Sequence, residues 1–483
     1  MATTIAEAPT TWEIEQRSID WVPEEERHGK LWHQMPLWFL GNFQYFSIPI
    51  GFIGPSLGLS LGWTIVAGTL GILVGTVFMA FHATQGPTLG LPQMIQSRAQ
   101  FGYRGVVVPL FATLFTYVAF NVADQVLLAE GLDAAYGLNP DVVAIVVAIG
   151  AAIIAIWGHD WVHRVFRALL VVSLPLMTIL TIGVLFGLAD GHAPKAPLGF
   201  SLAAFMAQFS AAAAYNITYA PYVSDYSRYL PRTTPGRRIV ASVFCGAGGA
   251  AIWLIALGAF LAIRLGATDG LLGVKTAGNN IFDPLGAVCG LLLAAGLAAT
   301  MGMNAYGGML TVLTGIDSVR SIRPGRVARA VTIVALTVVW YVIGKSISTN
   351  AVSTVFSALT LMLYLLVPWT ATNLVDFFFV RRGHYAITDL FTPRGIYGAW
   401  NGRGLTAYAV GFLVEIPFMV VPDISGHSFT GPIAKQISEV DLAWLAGLIV
   451  SGATYWLLSR SMDLKSEDRA VETSEARLAG AGP

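Results

Sequence analysis

The chain has 483 residues, of which 55% are hydrophobic and only 12% carry a charge. Soluble domains usually have about a quarter of their residues charged, so this chain cannot cover a water-facing surface and is expected to lie largely in lipid. A formal net charge of +0 gives no support to a nucleic-acid partner, and two cysteines exclude a disulfide framework and a four-cysteine metal cluster.

Twelve apolar stretches approach the 20 or so residues that a helix needs to cross the hydrocarbon core. They follow a polar arm, 1–35, that has no apolar region typical of a signal peptide. The predicted spans are 36–57, 62–82, 105–130, 141–157, 166–188, 200–223, 239–263, 282–313, 328–344, 352–379, 405–422 and 440–459. The eighth and tenth are long enough to tilt or break. The polar end from about Leu464 is predicted to be disordered.

Basic residues are distributed unequally between the loops, and this predicts the orientation of the chain. With the N-terminus inside, 23 of the 28 Lys and Arg residues fall in cytoplasmic segments and five fall in external segments. The asymmetry follows the positive-inside rule. We therefore expect a multi-pass protein of the cytoplasmic membrane with both termini in the cytoplasm.

Two spans contain residues that interrupt helices. The first span has Gly41-Asn42 near its middle, and the sixth has Tyr215-Asn216 followed by Pro221. Discontinuous helices at corresponding places of two halves are typical of secondary transporters, which hold substrate near the bilayer midplane. Because Gly and Pro are also common in ordinary membrane helices, this pattern alone is only suggestive.

Polar residues inside the third and eighth spans indicate a small cavity. Tyr117 and Asn121 are four residues apart and share a helix face, with Asp124 one turn further on. The eighth span carries Thr300 and Asn304 among glycines. Aromatic faces combined with amides suit a planar, amide-like ligand, since an Asn side chain both donates and accepts hydrogen bonds.

Each of these residues also has a purely structural alternative. An Asn in mid-membrane often only joins two helices, at about 0.6 kcal/mol. Tyr117 and Tyr215 could be packing aromatics, and Asp124 could pair with a neighbouring helix instead of coupling a cation to transport. Asp225 and Arg228, beyond the break in the sixth span, are predicted to form a cytoplasmic anchor.

An enzyme would need a nucleophile with its base, or a set of metal ligands, and neither pattern occurs in the spans. Of the eight histidines, only His82 falls inside a predicted span. His159 and His163 are four residues apart, a spacing that suits a metal ion, but they are predicted to lie in a cytoplasmic loop and are interpreted as loop histidines. We therefore predict no catalytic residue, no bound metal and no cofactor.

Four passages resemble the nucleobase–cation symporter-1 family, of the purine/cytosine permease type. They are IDWVPEEERHGK before the first span, GLPQMIQSRAQFGYRG between the second and third spans, YAPYVSDYSRYLP after the sixth and MNAYGGML in the eighth. The passage after the sixth span is the most specific of the four. The resemblance extends from about residue 19 to the last span.

The resemblance implies an all-α polytopic membrane protein with twelve transmembrane helices. In this fold, a five-plus-five inverted repeat of the LeuT-like or APC type is followed by two peripheral helices. The implied segments are a cytoplasmic N-terminal tail at 1–35, repeats at 36–190 and 198–380, spans eleven and twelve at 405–459 and a cytoplasmic C-terminal tail at 460–483.

The resemblance also implies a substrate site between spans one, three, six and eight, with a ring stacked between aromatics and bonded by amides. The substrate-binding residues implied at these positions are Asn42, Phe43, Tyr117, Asn121, Tyr215, Asn216 and Asn304. Candidates for cation coupling are Gly41, Asp124 and Thr300. Many relatives have Trp where this chain has Tyr117. The stretch 298–300 offers a single hydroxyl, fewer oxygens than Na⁺ prefers, so H⁺ and Na⁺ both stay open.

We predict a secondary active transporter that imports a purine or pyrimidine base, or a close planar heterocycle, by symport with H⁺ or Na⁺. The expected partners are the small-molecule base and the lipid bilayer, with no nucleic acid and no obligate protein partner. The alternative is a transporter of the same fold for allantoin, a hydantoin, a vitamin or an amino acid. A membrane-embedded enzyme is the least favoured class.

Overall fold

The computed structural model describes residues 15, 17–189, 198–347, 351–424 and 427–480. Residues 1–14 and 16 of the predicted N-terminal tail, the junction 190–197 at the predicted repeat boundary and the last three residues lie outside this part of the chain. The helices are α1 (Gln34–Asn42), α2 (Ser47–Ser56), α3 (Leu61–His82), α4 (Gln85–Leu89), α5 (Gln93–Gln96), α6 (Arg98–Phe101), α7 (Val107–Tyr136), α8 (Pro140–Trp157), α9 (His159–Leu185), α10 (Leu202–Ile217), α11 (Ala220–Ser227), α12 (Gly236–Val243), α13 (Gly249–Arg264), α14 (Gly270–Ile281), α15 (Leu285–Val319), α16 (Arg326–Ser346), α17 (Ala351–Val375), α18 (Gly402–Glu415), α19 (Pro432–Gln436), α20 (Ala443–Ser459) and α21 (Leu464–Gly480). Two strands, β1 (Val420–Ile424) and β2 (His427–Thr430), form an antiparallel hairpin.

Eight helical segments of the described residues are long and apolar enough to cross a membrane. The predicted first span is divided between α1 and α2, and the sixth between α10 and α11. The predicted eleventh and twelfth spans correspond to the shorter helices α18 and α20. Together these segments account for the twelve predicted spans. The predicted eighth span is one unbroken helix of 35 residues, α15.

Both predicted helix breaks are present, and side chains compensate for the backbone groups that the breaks release. In the first span, α1 ends at Asn42 and α2 begins at Ser47. The Ser47 hydroxyl donates to the Asn42 carbonyl at 2.6 Å, and the Gln44 amide donates to the Gly41 carbonyl at 3.4 Å. Irregular backbone inside a membrane protein is tolerated where such partners replace the helical ones.

Helix pairing follows the symmetry of an inverted repeat. In the first repeat the broken helix contributes α1, which packs on α9, and α2, which packs on α13. In the second repeat the broken helix contributes α10, which packs on both α17 and α3. Contacts of α8 with α15 are matched by contacts of α16 with α7. Each of these helix contacts has its counterpart when the two halves are exchanged, so the architecture is the predicted five-plus-five inverted repeat. Outside the repeat, α18 and α20 pack on each other and on α17.

Close packing of α3 against α10 depends on glycine. A Cβ atom at Gly71 would lie 2.3 Å from the Phe209 carbonyl oxygen, and one at Gly75 would lie 2.3 Å from the Ala213 carbonyl oxygen. Small residues let membrane helices approach one another closely, so these two glycines allow the broken helix α10 to pack directly on α3.

The predicted eleventh span is wrong beyond Phe418. Helix α18 ends at Glu415 and a single 3₁₀ turn continues to Phe418, after which the chain enters β1. Pro417 and Pro422 lie in this stretch. A proline removes a backbone donor and favours extended geometry in the residue before it, so an apolar composition does not continue the helix here.

The C-terminal end is also different from the prediction, because most of the segment expected to be disordered forms α21. Arg381 donates to the Glu467 carboxylate through Nε at 2.8 Å and through Nη2 at 3.0 Å. Ala470, Val471 and Leu478 pack against the hydrophobic core. Docking on the bundle therefore stabilises a helix that its composition alone does not require.

His159 and His163 are not in a loop, as predicted, but in the first turns of α9. Each is 6% exposed. Helix α8 passes into α9 through Gly158, whose φ of 88° lies in the region that favours glycine. A one-residue turn thus replaces the expected loop and buries both histidines.

Glu15 connects several elements at one end of the bundle, which we call the N-terminal face. Its carboxylate accepts hydrogen bonds from Arg228 at 3.3 Å, Arg329 at 3.1 Å, the Tyr306 hydroxyl at 2.9 Å and the Tyr229 hydroxyl at 2.5 Å. Burial by itself raises the pKa of the Glu15 carboxyl, but the Arg329 and Arg228 guanidinium groups outweigh this effect and hold the pKa at about 2.

Candidate substrate-binding site

Three polar side chains meet between α7 and α15. The Asn304 amide nitrogen donates to Asn121 Oδ1 at 2.8 Å and to Asp124 Oδ2 at 3.2 Å. Asn121 in turn donates to the Met301 carbonyl oxygen at 3.2 Å. All three side chains are at most 1% exposed. The pattern on α7 places Asn121 and Asp124 on one face, toward α15.

The polar cluster retains unused hydrogen-bonding capacity. Asn304 Oδ1 is buried and has no partner among the described residues. No ion pair to Asp124 occurs in the part of the chain that the structure describes, although its carboxylate is 1% exposed. Buried polar groups are normally satisfied, so an unpartnered acceptor beside a carboxylate is typical of a site that binds a polar ligand.

Aromatic rings surround the helix breaks. Phe46 stacks on Tyr215 with ring centroids 5.4 Å apart and an angle of 15° between the planes. Phe120 stacks on Tyr219 at 5.8 Å and 24°, and it meets Phe46 at 5.4 Å. These four rings come from the break in the first span, from α7, from the end of α10 and from the break between α10 and α11.

Hydroxyl groups of two of these rings bind the broken first span. Tyr219 donates to the Gly41 carbonyl oxygen at 3.0 Å. The Tyr215 hydroxyl accepts from the Gln44 amide at 2.9 Å and lies 3.0 Å from the Ser47 hydroxyl. The rings are therefore held at the break by polar groups that the break itself exposes.

Tyr117 lies at the other end of the aromatic cluster. It meets Tyr222 edge-on at a centroid distance of 4.4 Å. A Cβ atom at Gly307 would be 2.5 Å from the Tyr117 ring, so this glycine of α15 makes space for it. Tyr117 thus belongs to the same aromatic group as Tyr219, through the contact of Tyr222 with Tyr219 at 5.0 Å.

The remaining predicted residues make other contacts, although Asn42 Oδ1 and Asn216 Oδ1 are also buried without a partner among the described residues. Asn216 donates to the Thr76 hydroxyl on α3 at 2.6 Å. Phe43 packs on Phe39 and on Trp253, at 5.0 and 4.9 Å. Asn42 donates to the Trp38 carbonyl oxygen at 3.2 Å, and Thr300 donates to the Gly296 carbonyl oxygen at 3.0 Å.

Four residues of the aromatic and polar group at the helix breaks were not predicted from the sequence, namely Gln44, Phe46, Phe120 and Tyr219. Two signals were available. Phe120 follows Tyr117 by three residues, and Tyr219 follows Tyr215 by four, so both could have been marked from helical spacing. Gln44 and Phe46 lie inside the break, where the direction of a side chain does not follow helical periodicity.

Comparisons with known proteins find one permease family over most of the chain. The family described as "Permease for cytosine/purines, uracil, thiamine, allantoin" matches residues 21–447. The chain is 33% identical over 447 residues to "Putative purine-cytosine permease YxlA" of Bacillus subtilis, which covers 92% of this chain and 96% of that protein. It is 24% identical over 342 residues to "Purine-cytosine permease FCY22" of Saccharomyces cerevisiae, with 67% of this chain and 60% of that protein covered.

A solved structure shares the fold. It is that of Mhp1, a nucleobase-cation-symport-1 family transporter, in a closed conformation with bromovinylhydantoin bound. The TM-score is 0.71 at 16% sequence identity, with 95% of this chain and 100% of that chain covered. The predicted transporter fold is thereby confirmed.

Proposed function

Because the chain belongs to the family of permeases for cytosine/purines, uracil, thiamine and allantoin, it is a transport protein and not an enzyme, and we propose that it imports a nucleobase by symport with a cation. The substrate is a purine, a pyrimidine or a close planar heterocycle. The observation that carries the proposal is the buried cluster of Asn121, Asn304 and Asp124 beside the stacked rings of Phe46 and Tyr215.

The chemistry of this cluster matches the edge of a base. A nucleobase presents ring N–H groups, exocyclic amines and carbonyl oxygens in one plane. Asn304 Oδ1 accepts from an N–H group, and the Asp124 carboxylate accepts from an amine or a protonated ring nitrogen. Aromatic faces bind the flat surface of the base by stacking.

Substrate entry requires the rings to move apart. The centroids of Phe46 and Tyr215 are 5.4 Å apart, which is direct contact, so no third ring fits between them in this conformation. The polar bonds of the Tyr215 hydroxyl to Gln44 and Ser47 link this separation to movement of the broken first span. Binding of a base and rearrangement of the helix break are thus a single event in this mechanism.

The coupling ion in our proposal is H⁺, bound by Asp124. A buried intramembrane carboxylate that has no cationic partner among the described residues is costly when charged, and this favours a proton as its counterion. The Gly41 carbonyl accepts hydrogen bonds from tyrosine and glutamine side chains. Thr300 is the single hydroxyl of the stretch 298–300, fewer oxygens than Na⁺ prefers, and this also favours H⁺.

The N-terminal face is cytoplasmic in this proposal, and the protein lies in the cytoplasmic membrane with both termini inside. The support is the excess of Lys and Arg in the loops on that side, 23 of the 28 residues of these types. Glu15 and its arginine partners would then lie on the side where an imported base is released.

The test is an uptake assay in cells that lack their own base permeases. Labelled cytosine, adenine, hypoxanthine, guanine, uracil and allantoin are each supplied with and without Na⁺ and with a protonophore. We expect saturable uptake of at least one base that survives removal of Na⁺ and is abolished by the protonophore. Uptake of none of the bases contradicts the proposed substrate class, and dependence on Na⁺ contradicts the proposed coupling ion.

A further inference from the structure

Two histidines and an aspartate converge at the N-terminal face, away from the substrate site. His28 lies in the arm that precedes α1, whereas His159 and Asp160 begin α9. His159 Nδ1 is 2.9 Å from Asp160 Oδ1, and His28 Nε2 is 3.5 Å from the same oxygen. One donor atom from each residue lies within 4.8 Å of the other two.

The other nitrogen of each ring is occupied by a backbone carbonyl. His28 Nδ1 is 2.8 Å from the Glu26 carbonyl oxygen, and His159 Nε2 is 3.3 Å from the Tyr226 carbonyl oxygen. A carbonyl oxygen only accepts, so these nitrogens carry the hydrogens. In the neutral rings, His28 Nε2 and His159 Nδ1 then direct lone pairs at the Asp160 carboxylate, so a positive charge, either a proton on the rings or a metal ion between the three groups, is needed to stabilise the arrangement.

The distances between the donor atoms suit a metal ion as the positive charge. Ligand atoms about 2.0–2.1 Å from a tetrahedral zinc ion are about 3.3 Å from one another. The separations of 2.9 and 3.5 Å lie on either side of this value. A metal-bound histidine typically donates its second N–H to a carbonyl or carboxylate, which orients the ring, and both histidines do so here.

A cavity of about 180 Å³ adjoins the three residues, and it has a further buried nitrogen in its wall. His163, one turn along α9, is 6% exposed, and its Nδ1 has no hydrogen-bond partner among the described residues. Its ring centroid is 4.5 Å from that of His159. Three basic residues, Lys30, Arg164 and Arg167, also line the cavity, and their positive charges would weaken cation binding without removing the ligands.

We propose that His28, His159 and Asp160 bind a divalent transition-metal ion of the zinc class at the edge of this cavity. Imidazole and carboxylate are ligands that zinc accepts together. The ion would connect the N-terminal arm to the first turn of α9, and these two elements are far apart in sequence. The proposal stands independently of the transported substrate.

Metal binding is tested on the purified full-length protein in detergent, after removal of metal by chelation. Zn²⁺ is titrated by calorimetry, and Co²⁺ is titrated by its visible absorption, which reports the coordination geometry. We expect one equivalent of each ion to bind. His28→Asn keeps an amide donor for the Glu26 carbonyl but loses the ligand, and it should weaken binding at least tenfold, as should Asp160→Asn. His384→Ala removes an exposed histidine elsewhere and serves as the matched control, with unchanged binding expected.

Three results would overturn the proposal. The first is the absence of saturable binding in the unaltered protein. The second is binding that His28→Asn and Asp160→Asn leave unchanged, which would place the ion elsewhere. The third is a thermal midpoint that responds to pH near neutrality but not to Zn²⁺, which would assign protons to these rings. Elution of His28→Asn as a single symmetrical peak in size-exclusion chromatography separates loss of the ligand from loss of the fold.

Discussion

Substitution of Glu15 by glutamine should destabilise the protein strongly, although Glu15 lies outside the membrane-spanning helices. The pKa of this carboxyl is lowered from 4.5 to about 2, with Arg329 and Arg228 overcoming the effect of burial. Each unit of pKa corresponds to about 1.4 kcal/mol, so the charged form contributes about 3 kcal/mol to the free energy of unfolding at neutral pH. Loss of the charge also leaves Arg228 and Arg329 buried without their carboxylate, a change that costs about 3–5 kcal/mol in other proteins.

The pH dependence of this effect has a definite sign. Because the pKa of Glu15 is lower in the folded than in the unfolded state, its stabilisation is fully present above about pH 4.5 and is lost as the pH falls toward about 2. The difference in thermal midpoint between the unaltered protein and Glu15→Gln should therefore be constant above about pH 5 and should narrow below it. Glu25→Gln, at an exposed position of the same arm, is the control and should leave the midpoint unchanged.

The measurement is thermal unfolding of the purified protein in detergent across this pH range. A midpoint of Glu15→Gln equal to that of the unaltered protein at neutral pH would refute the assigned ion pairs. A difference that persists undiminished at about pH 3 would refute the assigned pKa.

Three further substitutions probe the proposed site. Asp124→Asn keeps an oxygen that accepts from Asn304 but cannot take up a proton. In proteoliposomes, proton-driven accumulation of the base should therefore be lost, while exchange of base across the membrane continues. Gly307→Ala places a methyl group 2.5 Å from the Tyr117 ring, and it should raise the KM for uptake at least tenfold, whereas an unchanged KM would mean that Tyr117 is not at the site. Tyr215→Phe removes the hydroxyl but keeps the stack on Phe46, so it should lower the affinity for the base less than tenfold in a radioligand assay. Tyr215→Ala removes the ring and should abolish binding in the same assay.

The number of spans and the positions of the breaks could be predicted because they depend on local properties. Apolar length predicts a membrane-crossing helix, and Gly41-Asn42 and Tyr215-Asn216 are residues at which such helices stop. The C-terminal helix could not be predicted in this way. Its stability comes from the pairing of Glu467 with Arg381, a residue 86 positions away, and this contact exists only in the folded protein.

The polar cluster of the candidate site was predictable from helical periodicity. Asn121 and Asp124 are on one face of α7, and the structure brings them to Asn304. Asn216, at the end of α10, bonds Thr76 on α3 instead, because its direction depends on how α10 packs against that helix. The direction of a side chain near a break is set by tertiary contacts, which the sequence pattern does not contain.

The most direct test of the account is proton-driven uptake of a labelled base into proteoliposomes that contain the purified protein or its Asn304→Ala variant. Removal of the amide that joins Asn121 to Asp124 should cost about 1–3 kcal/mol, which corresponds to a rise in KM of about fivefold to 150-fold. Thr178→Ala, whose hydroxyl bonds only its own helix, is the matched control and should transport normally. Equal uptake by Asn304→Ala and the unaltered protein would contradict the assignment of this cluster as the base-binding site.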